Sequence, residues 1–224
     1  MRATILQPNY IPWRGYFDFF KQSDAFIVYD DVQYTKNDWR NRNTIKTPDG
    51  SQWLTIPVDD KNRMKKSIPI KDIKMLDNGW RDRHIKILEL NYKNAPYYGE
   101  VMDIVSEAFA EKLEFLVDLD MLLISKINDY LGIRCKIYYS STLGFNDLDR
   151  QDRLVAICKH LGATEYCSGD AAKDYLDTSK FGDIRVMWHR YKEKVYPQLW
   201  GEFQSKVSIL DLIANCGTKG YDII

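Results

Sequence analysis

Residues near the N-terminus combine types that bind small polar ligands. Residues 7–13 (QPNYIPW) place Gln7, Asn9, Tyr10 and Trp13 around two prolines, which restrict φ and lower the entropy lost when a loop becomes ordered. Such a loop presents amide groups and aromatic faces suited to stacking on a base or a sugar ring. A strand-to-helix turn whose aromatic side chains belong to the core explains the same residues equally well.

A second segment, residues 30–46 (DDVQYTKNDWRNRNTIK), carries more charge. Asp30 and Asp31 are candidate catalytic carboxylates. Adjacent residues on a strand point to opposite faces, so we expect one of the two to face a site and not both to act as a pair. Donors that suit phosphate or carboxylate oxygens follow them: Lys36, Asn41, Arg42 and Asn43. A solvated charged loop is the structural alternative.

The chain has three histidines, of which His84 is the best candidate for a general acid or base. It shares a predicted helix face with Trp80, and imidazole titrates near neutral pH. A histidine on a half-apolar face is also commonly structural. His160 is expected to interact with a helix dipole, and nothing beside His189 indicates a role. No spacing typical of a metal site is present, so no metal is predicted.

Short apolar runs alternate with helical patterns, which predicts an α/β fold. Strands are predicted at residues 3–7, 25–29, 52–58, 136–140, 165–167 and 184–188. Several are almost wholly apolar, so we expect a Rossmann-like, mainly parallel sheet flanked by helices. A long central amphipathic helix is predicted over residues 107–131, with Gly132 at its end, and Asp149 is expected to cap a following helix.

Sheets of this kind bind ligands at the carboxyl ends of their strands. The loops after the predicted strands therefore add Ser140, Ser141, Ser168 and Gly169 to the candidate substrate-binding residues. Backbone N–H groups at Ser140–Ser141 or at Gly169 could stabilise an oxyanion.

The composition excludes several broad classes. The 224 residues carry 32 basic and 32 acidic side chains, and this zero net charge argues against a general nucleic-acid binder. It conceals a basic stretch at residues 36–74, with ten basic and five acidic residues. The four cysteines form no Cys-x-x-Cys pair, which favours reduced thiols. We expect a single cytoplasmic α/β domain over residues 1–224, with a helical subregion at 76–132 and no membrane span.

The N-terminal sequence QPNYIPWRGYFDFFKQSDAFIVYDDVQYTKNDWRNRNTIK resembles the signature of the WbqC-like proteins. The resemblance continues at Trp80 and His84 and then along the rest of the chain, at residues 92–98, 161–169, 196–198 and 208–217. It adds Tyr97 and Gln198 to the substrate-binding candidates. Leu6 stands where many members have a histidine, which raises the weight of His84.

The family is associated with bacterial O-antigen and other surface-polysaccharide synthesis. The resemblance therefore implies an acyl-, aminoacyl- or glycyl-transferase that acts on a nucleotide-linked amino sugar and takes an acyl or aminoacyl donor. His84 or Asp31 would deprotonate the sugar amine. Lys36, Asn41 and Arg42 would hold the pyrophosphate.

Two alternatives stay open. The first is a nucleotidylyltransferase-like enzyme that activates a carboxylate, although residues 13–16 (WRGY) replace the histidines of its HIGH motif. The second is a non-catalytic protein that binds a nucleotide-sugar. The sequence is compatible with a homodimer but leaves the oligomeric state open.

Overall fold

The computed structural model describes residues 1–60 and 67–224. The seven strands described are β1 (Arg2–Leu6), β2 (Ala25–Val28), β3 (Arg42–Thr47), β4 (Gly50–Thr55), β5 (Lys136–Tyr139), β6 (Glu165–Gly169) and β7 (Arg185–His189). The α-helices described are α1 (Arg14–Gln22), α2 (Trp80–Tyr92), α3 (Tyr98–Ala110), α4 (Leu116–Leu131), α5 (Arg150–His160), α6 (Ile209–Cys216) and α7 (Gly220–Ile223). Part of the basic stretch, residues 61–66, lies outside the described residues.

The chain forms two compact units, each assembled from three separate segments. Unit 1 consists of Met1–Gln7, Gly15–Asp31 and Arg134–Lys192. Unit 2 consists of Pro8–Arg14, Val32–Ile133 and Glu193–Ile224. Whether the chain folds as one domain stays a prediction.

Unit 1 contains a five-stranded sheet with the order β5-β2-β1-β6-β7, in which every neighbouring pair is parallel. All four residues of β2 are fully buried, as expected for an apolar strand inside a parallel sheet covered on both faces. The predicted α/β fold with a parallel sheet flanked by helices is confirmed, and five of the six predicted strands belong to this sheet.

The strand order reverses beside β1. From β1 the chain proceeds to β2 and β5 on one side, and then to β6 and β7 on the other. Doubly wound sheets bind ligands at such a switch point, outside the carboxyl ends of the strands. Gln7, Ser168 and Gly169 lie at or just after the carboxyl ends of β1 and β6.

Unit 2 contains an antiparallel hairpin formed by β3 and β4, with Arg42 opposite Thr55 and Thr47 opposite Gly50. The sixth predicted strand, at residues 52–58, corresponds to β4. The sequence did not predict its partner, β3. The sequence RNTIKT lacks apolar alternation, yet pairing with β4 satisfies its backbone.

The predicted helix over residues 107–131 is interrupted. Helix α3 ends at Ala110 and α4 begins at Leu116. Between them the chain is not helical, and the Glu114 carbonyl accepts a hydrogen bond from Met75 N at 2.9 Å. This tertiary pairing outweighs the local helical pattern. No α-helix in the described ranges combines the length and apolarity needed to cross a membrane.

Two predicted helix caps are confirmed. Gly132 follows α4 with φ +72°, a left-handed conformation that favours glycine. Asp149 precedes α5, and its carboxylate accepts hydrogen bonds from the backbone N of Gln151 (2.9 Å) and Asp152 (3.1 Å).

Candidate functional site

Unit 2 contains a pocket with a volume of about 360 Å³. Its lining residues are Asn9, Pro12, Trp13, Trp39, Asn43, Glu193 and Lys206. The volume is near the lower end of the range for small-molecule sites, roughly 300–1,000 Å³. Asn9, Trp13 and Asn43 are sequence-predicted substrate-binding residues, so the structure brings these three together at one site.

Trp13 and Trp39 give the pocket two aromatic walls. These residues are 36% and 45% exposed, respectively. Large aromatic side chains are usually buried to a high degree, so exposure of two at one pocket indicates a binding surface. An indole face stacks well on a flat or ring-shaped partner. The walls therefore favour a ligand that contains a ring.

The loop of residues 8–13 forms part of the pocket and is held by Asn43. The Asn43 side-chain Nδ2 donates to the carbonyls of Tyr10 (3.2 Å) and Ile11 (3.0 Å). Ile11 has φ +35°, which is an outlier for a β-branched residue. Such strain persists where surrounding contacts hold the backbone in an unfavourable conformation, which is often the case at ligand sites. Asn43 thus fixes the shape of the pocket.

Tyr10 and His84 anchor the same loop in the interior of unit 2. The Tyr10 hydroxyl lies 2.9 Å from His84 Nδ1, and both residues are buried. Trp80 packs edge-on against the His84 ring. Burial lowers the pKa of His84 to about 4, although a backbone hydrogen bond with Thr55 acts in the opposite direction. His84 is therefore neutral at pH 7, and it is not among the residues that line the pocket.

We expect His84 to destabilise the protein as the pH falls from about 6.5 to about 4. In this range the unfolded chain binds a proton on His84 and the folded chain does not, so protonation favours unfolding. The Tm of His84→Gln should therefore fall less than that of the wild type across this range. Burial raises the pKa of Asp120, but that contribution is common to both proteins. Equal pH dependence of the two Tm values would contradict a buried, neutral His84.

Three polar residues among the pocket lining, Asn9, Glu193 and Lys206, have groups able to bind a ligand. The Oδ1 atom of Asn9 is buried and has no hydrogen-bond partner within the described part of the chain. Unsatisfied buried polar atoms are rare in folded proteins and call for an explanation. Glu193 and Lys206 are exposed and supply charges of opposite sign. The sequence did not single out these two charged residues.

Other candidates of the polar segment do not line the pocket. Lys36 pairs with Asp60 at 3.2 Å. Asn41 donates through Nδ2 to the Ile56 carbonyl at 2.7 Å. Arg42 places its guanidinium 4.3 Å from the centroid of Trp53, another exposed tryptophan of unit 2.

Gln198 belongs to a buried polar network centred on Asp211. The carboxylate of Asp211 accepts hydrogen bonds from Tyr92 (2.9 Å), Tyr196 (2.8 Å) and Gln198 (2.7 Å). Gln198 Oε1 also accepts from the fully buried Lys46 at 3.1 Å. Burial raises the pKa of Asp211, and the three hydrogen bonds partly oppose this rise. This geometry favours a structural role for Gln198.

Tyr97 packs beside the end of α6. Gly217, which follows the helix, has φ +59°, and a Cβ atom at this position would lie only 2.6 Å from the Tyr97 ring. Tyr97 N also donates to the Ala214 carbonyl at 3.0 Å. The close approach requires glycine and places Tyr97 in the packing of unit 2.

In unit 1, Asp30 and Asp31 form a hydrogen-bonded network beyond the end of β2. Ser140 Oγ lies within hydrogen-bond distance of both Asp30 (3.1 Å) and Asp31 (2.6 Å), so the expectation that the carboxylates point to opposite faces is wrong. Strand alternation does not extend past the strand's last residue. Asp30 also accepts from Ser141 N (3.0 Å) and Ser141 Oγ (2.7 Å), and Arg153 pairs with Asp31. The Ser141 N–H proposed for an oxyanion is thus directed at Asp30.

The remaining candidates lie at the switch point of the unit 1 sheet. Gln7 accepts a hydrogen bond on its backbone carbonyl from the Tyr16 hydroxyl at 3.1 Å. Ser168 is buried within β6, and Gly169 stands opposite His189 of β7.

Sequence reasoning missed a buried Asp18–His189 pair in unit 1. His189 Nε2 lies 2.6 Å from Asp18 Oδ2, and the Phe19 ring stacks on the imidazole at 3.8 Å between centroids. Burial alone would raise the pKa of Asp18, but hydrogen bonds from His189 and Gln22 lower it. The pair is separated by 171 residues, so no local pattern could reveal it.

Thiol or metal chemistry would depend on the cysteine, histidine and acidic side chains. All four cysteines are free thiols, as the sequence predicts. Burial raises the pKa of Cys135 and Cys158 to about 12, so both are protonated at neutral pH. Residues 1–60 and 67–224 contain no group of three or more His, Cys, Asp or Glu arranged to hold a metal ion.

Comparison with known proteins shows similarity along nearly the whole chain. The WbqC-like protein family matches residues 7–223. An uncharacterized protein of Mycobacterium tuberculosis is 40% identical over 227 residues, which cover 100% of this chain and 97% of the relative. No solved structure matches the chain. The match to the family extends from the pocket loop to the last helix, and the chain belongs to the WbqC-like protein family.

Proposed function

We propose that the protein binds a nucleotide-linked amino sugar in the unit 2 pocket and transfers an acyl or aminoacyl group to the sugar amine. The product would serve synthesis of a bacterial surface polysaccharide. The reaction class follows from the family resemblance. One observation carries the assignment of the site: the pocket combines two exposed tryptophans, an unpaired amide oxygen and two charged groups of opposite sign.

In this proposal the sugar ring lies between Trp13 and Trp39. The Asn9 Oδ1 atom accepts a hydrogen bond from a hydroxyl or amine of the sugar. Lys206 offers its ammonium group to a phosphate. Asn43 holds the strained loop of residues 8–13 in one conformation. This side of the pocket is therefore preorganised, which lowers the entropic cost of binding.

We assign proton transfer to Glu193. The sugar amine enters as an ammonium ion and gives one proton to the Glu193 carboxylate. Its nitrogen then attacks the acyl carbon of an activated donor, a thioester or an aminoacyl ester. As the N–C bond forms, the C–S or C–O bond breaks, and the leaving group takes up the second proton from nitrogen.

The test has a binding step and a turnover step. Calorimetric titration with UDP-glucosamine should give a measurable Kd. Incubation of amino-sugar nucleotides with acetyl-coenzyme A or a glycyl ester donor should then add the mass of one acyl group to the sugar. Binding with no mass gain across a broad donor panel would rule out the transferase step. No binding of any nucleotide-sugar would rule out the site.

A second candidate is a non-catalytic nucleotide-sugar-binding protein. It is favoured by the state of the sequence-predicted catalytic groups: His84 is buried against Tyr10, and Asp30 and Asp31 are engaged with serines and Arg153. Under this hypothesis ligands bind without chemical change, and Glu193→Gln alters only the affinity.

A further inference from the structure

We infer that Trp39, Trp53 and Arg42 form a second subsite beside the pocket, and that this aromatic ledge stacks the nucleobase of the ligand. The inference rests on the proposed function and specifies how the nucleotide part is held. The three residues belong to unit 2, and the ledge adjoins the pocket because Trp39 is part of both.

The two indoles of the ledge pack against each other in a tilted arrangement. The ring centroids of Trp39 and Trp53 are 5.6 Å apart with an interplanar angle of 32°. Trp53 is 46% exposed, whereas its neighbour Leu54 is fully buried on the other face of β4. Leu54 gives β4 its core contact, whereas the exposed ring of Trp53 adjoins that of Trp39 and is available to a ligand.

Arg42 adds a fixed positive charge to this surface. Its guanidinium lies 4.3 Å from the centroid of Trp53, a cation–π geometry. The same guanidinium donates to the backbone carbonyl of Asn37, which restricts its orientation. A cation next to two packed aromatic rings suits a base that carries a phosphate nearby.

The size of the pocket also requires a second surface. At about 360 Å³ it suits one substituted ring, whereas a nucleotide-linked sugar carries a sugar, a ribose and a base. If the amino sugar occupies the space between Trp13 and Trp39, the base must bind elsewhere. The ledge continues from Trp39 and offers aromatic faces to which any base can stack.

The test compares ligands with and without a base on the full-length chain. Calorimetry measures the Kd of UDP-glucosamine, of GDP-linked mannose and of glucosamine 1-phosphate for the wild type and for Trp53→Ala. We expect Trp53→Ala to raise the Kd of each nucleotide-sugar by roughly tenfold, which is the effect of losing one stacking side chain. The Kd of glucosamine 1-phosphate should change less than twofold, because Trp53 does not line the pocket.

Two further variants control for general effects. Trp53→Phe retains a ring and should recover most of the affinity. Tyr175 is an exposed tyrosine of unit 1, and the Arg150 guanidinium lies 4.9 Å from the centroid of its ring. Tyr175→Ala removes this comparable aromatic surface and should change no Kd. Melting curves verify that each variant is folded.

The outcomes separate the ledge from the proposed function. The ledge is not a base subsite if Trp53→Ala leaves the Kd of the nucleotide-sugars unchanged, or if it raises the Kd of glucosamine 1-phosphate by the same factor. In either case the pocket assignment stands. If the folded wild type binds none of the probes, the pocket assignment fails and the ledge fails with it.

Discussion

Asp211→Ala should lower the free energy of unfolding by about 2 kcal/mol or more, because it leaves two buried tyrosine hydroxyls, those of Tyr92 and Tyr196, without their acceptor. Tyr92, Tyr196 and Gln198 all donate to this carboxylate, which is 0% exposed. Each buried donor that loses its partner costs about 1–3 kcal/mol. Urea unfolding at pH 7 measures the change as a shift of the transition midpoint.

Two variants show whether the hydrogen bonds account for this loss. Asp211→Asn keeps one acceptor oxygen and should lose less stability than Asp211→Ala. Asp222→Ala removes an exposed aspartate of the same unit and should change the free energy of unfolding by less than about 0.5 kcal/mol. A loss for Asp211→Ala as small as that for Asp222→Ala would show that the network does not stabilise unit 2.

Glu193→Gln should lower kcat for acyl transfer by about a hundredfold or more, since a positioned general base contributes roughly 10²–10⁴-fold. Glutamine keeps the shape and one acceptor oxygen of the side chain but cannot take the proton from the sugar ammonium. Affinity for the nucleotide-sugar should change far less than kcat. Steady-state turnover followed by mass spectrometry, together with calorimetry, measures both quantities.

The matched control for this prediction is Glu202→Gln. Glu202 is also exposed in unit 2 but does not line the pocket. Its substitution should leave both kcat and Kd unchanged. If Glu193→Gln retains wild-type turnover, the proton goes to another group, and the assignment of Glu193 is wrong.

The sheet of unit 1 was predictable because several of its strands coincide with short apolar runs in the sequence. The run AFIV is fully buried as β2, and alternation of strands with helices indicates parallel pairing, which the sheet shows. Strand β3 was not predictable in this way, because its side chains are polar and several find distant partners. Lys46 and Gln198, for example, are 152 residues apart.

The site was predictable only in part. The loop at residues 7–13 was identified by its composition, and Asn9 and Trp13 do line the pocket. His84 was predicted as a general acid or base because imidazole titrates near neutral pH. Its burial lowers the pKa to about 4, so the side chain is neutral at pH 7. Glu193 and Lys206 are exposed residues far along the chain from Asn9. Only the folded backbone shows that they reach the same pocket as Asn9.

We propose that the pocket between Trp13 and Trp39 binds the sugar of a nucleotide-sugar. A crystal structure of the chain soaked with UDP-glucosamine tests this proposal. We expect density for the sugar ring between the two indoles, with its polar groups within hydrogen-bond distance of the Asn9 side chain and the Glu193 carboxylate. Density for the sugar at another place, with this pocket empty, would contradict it.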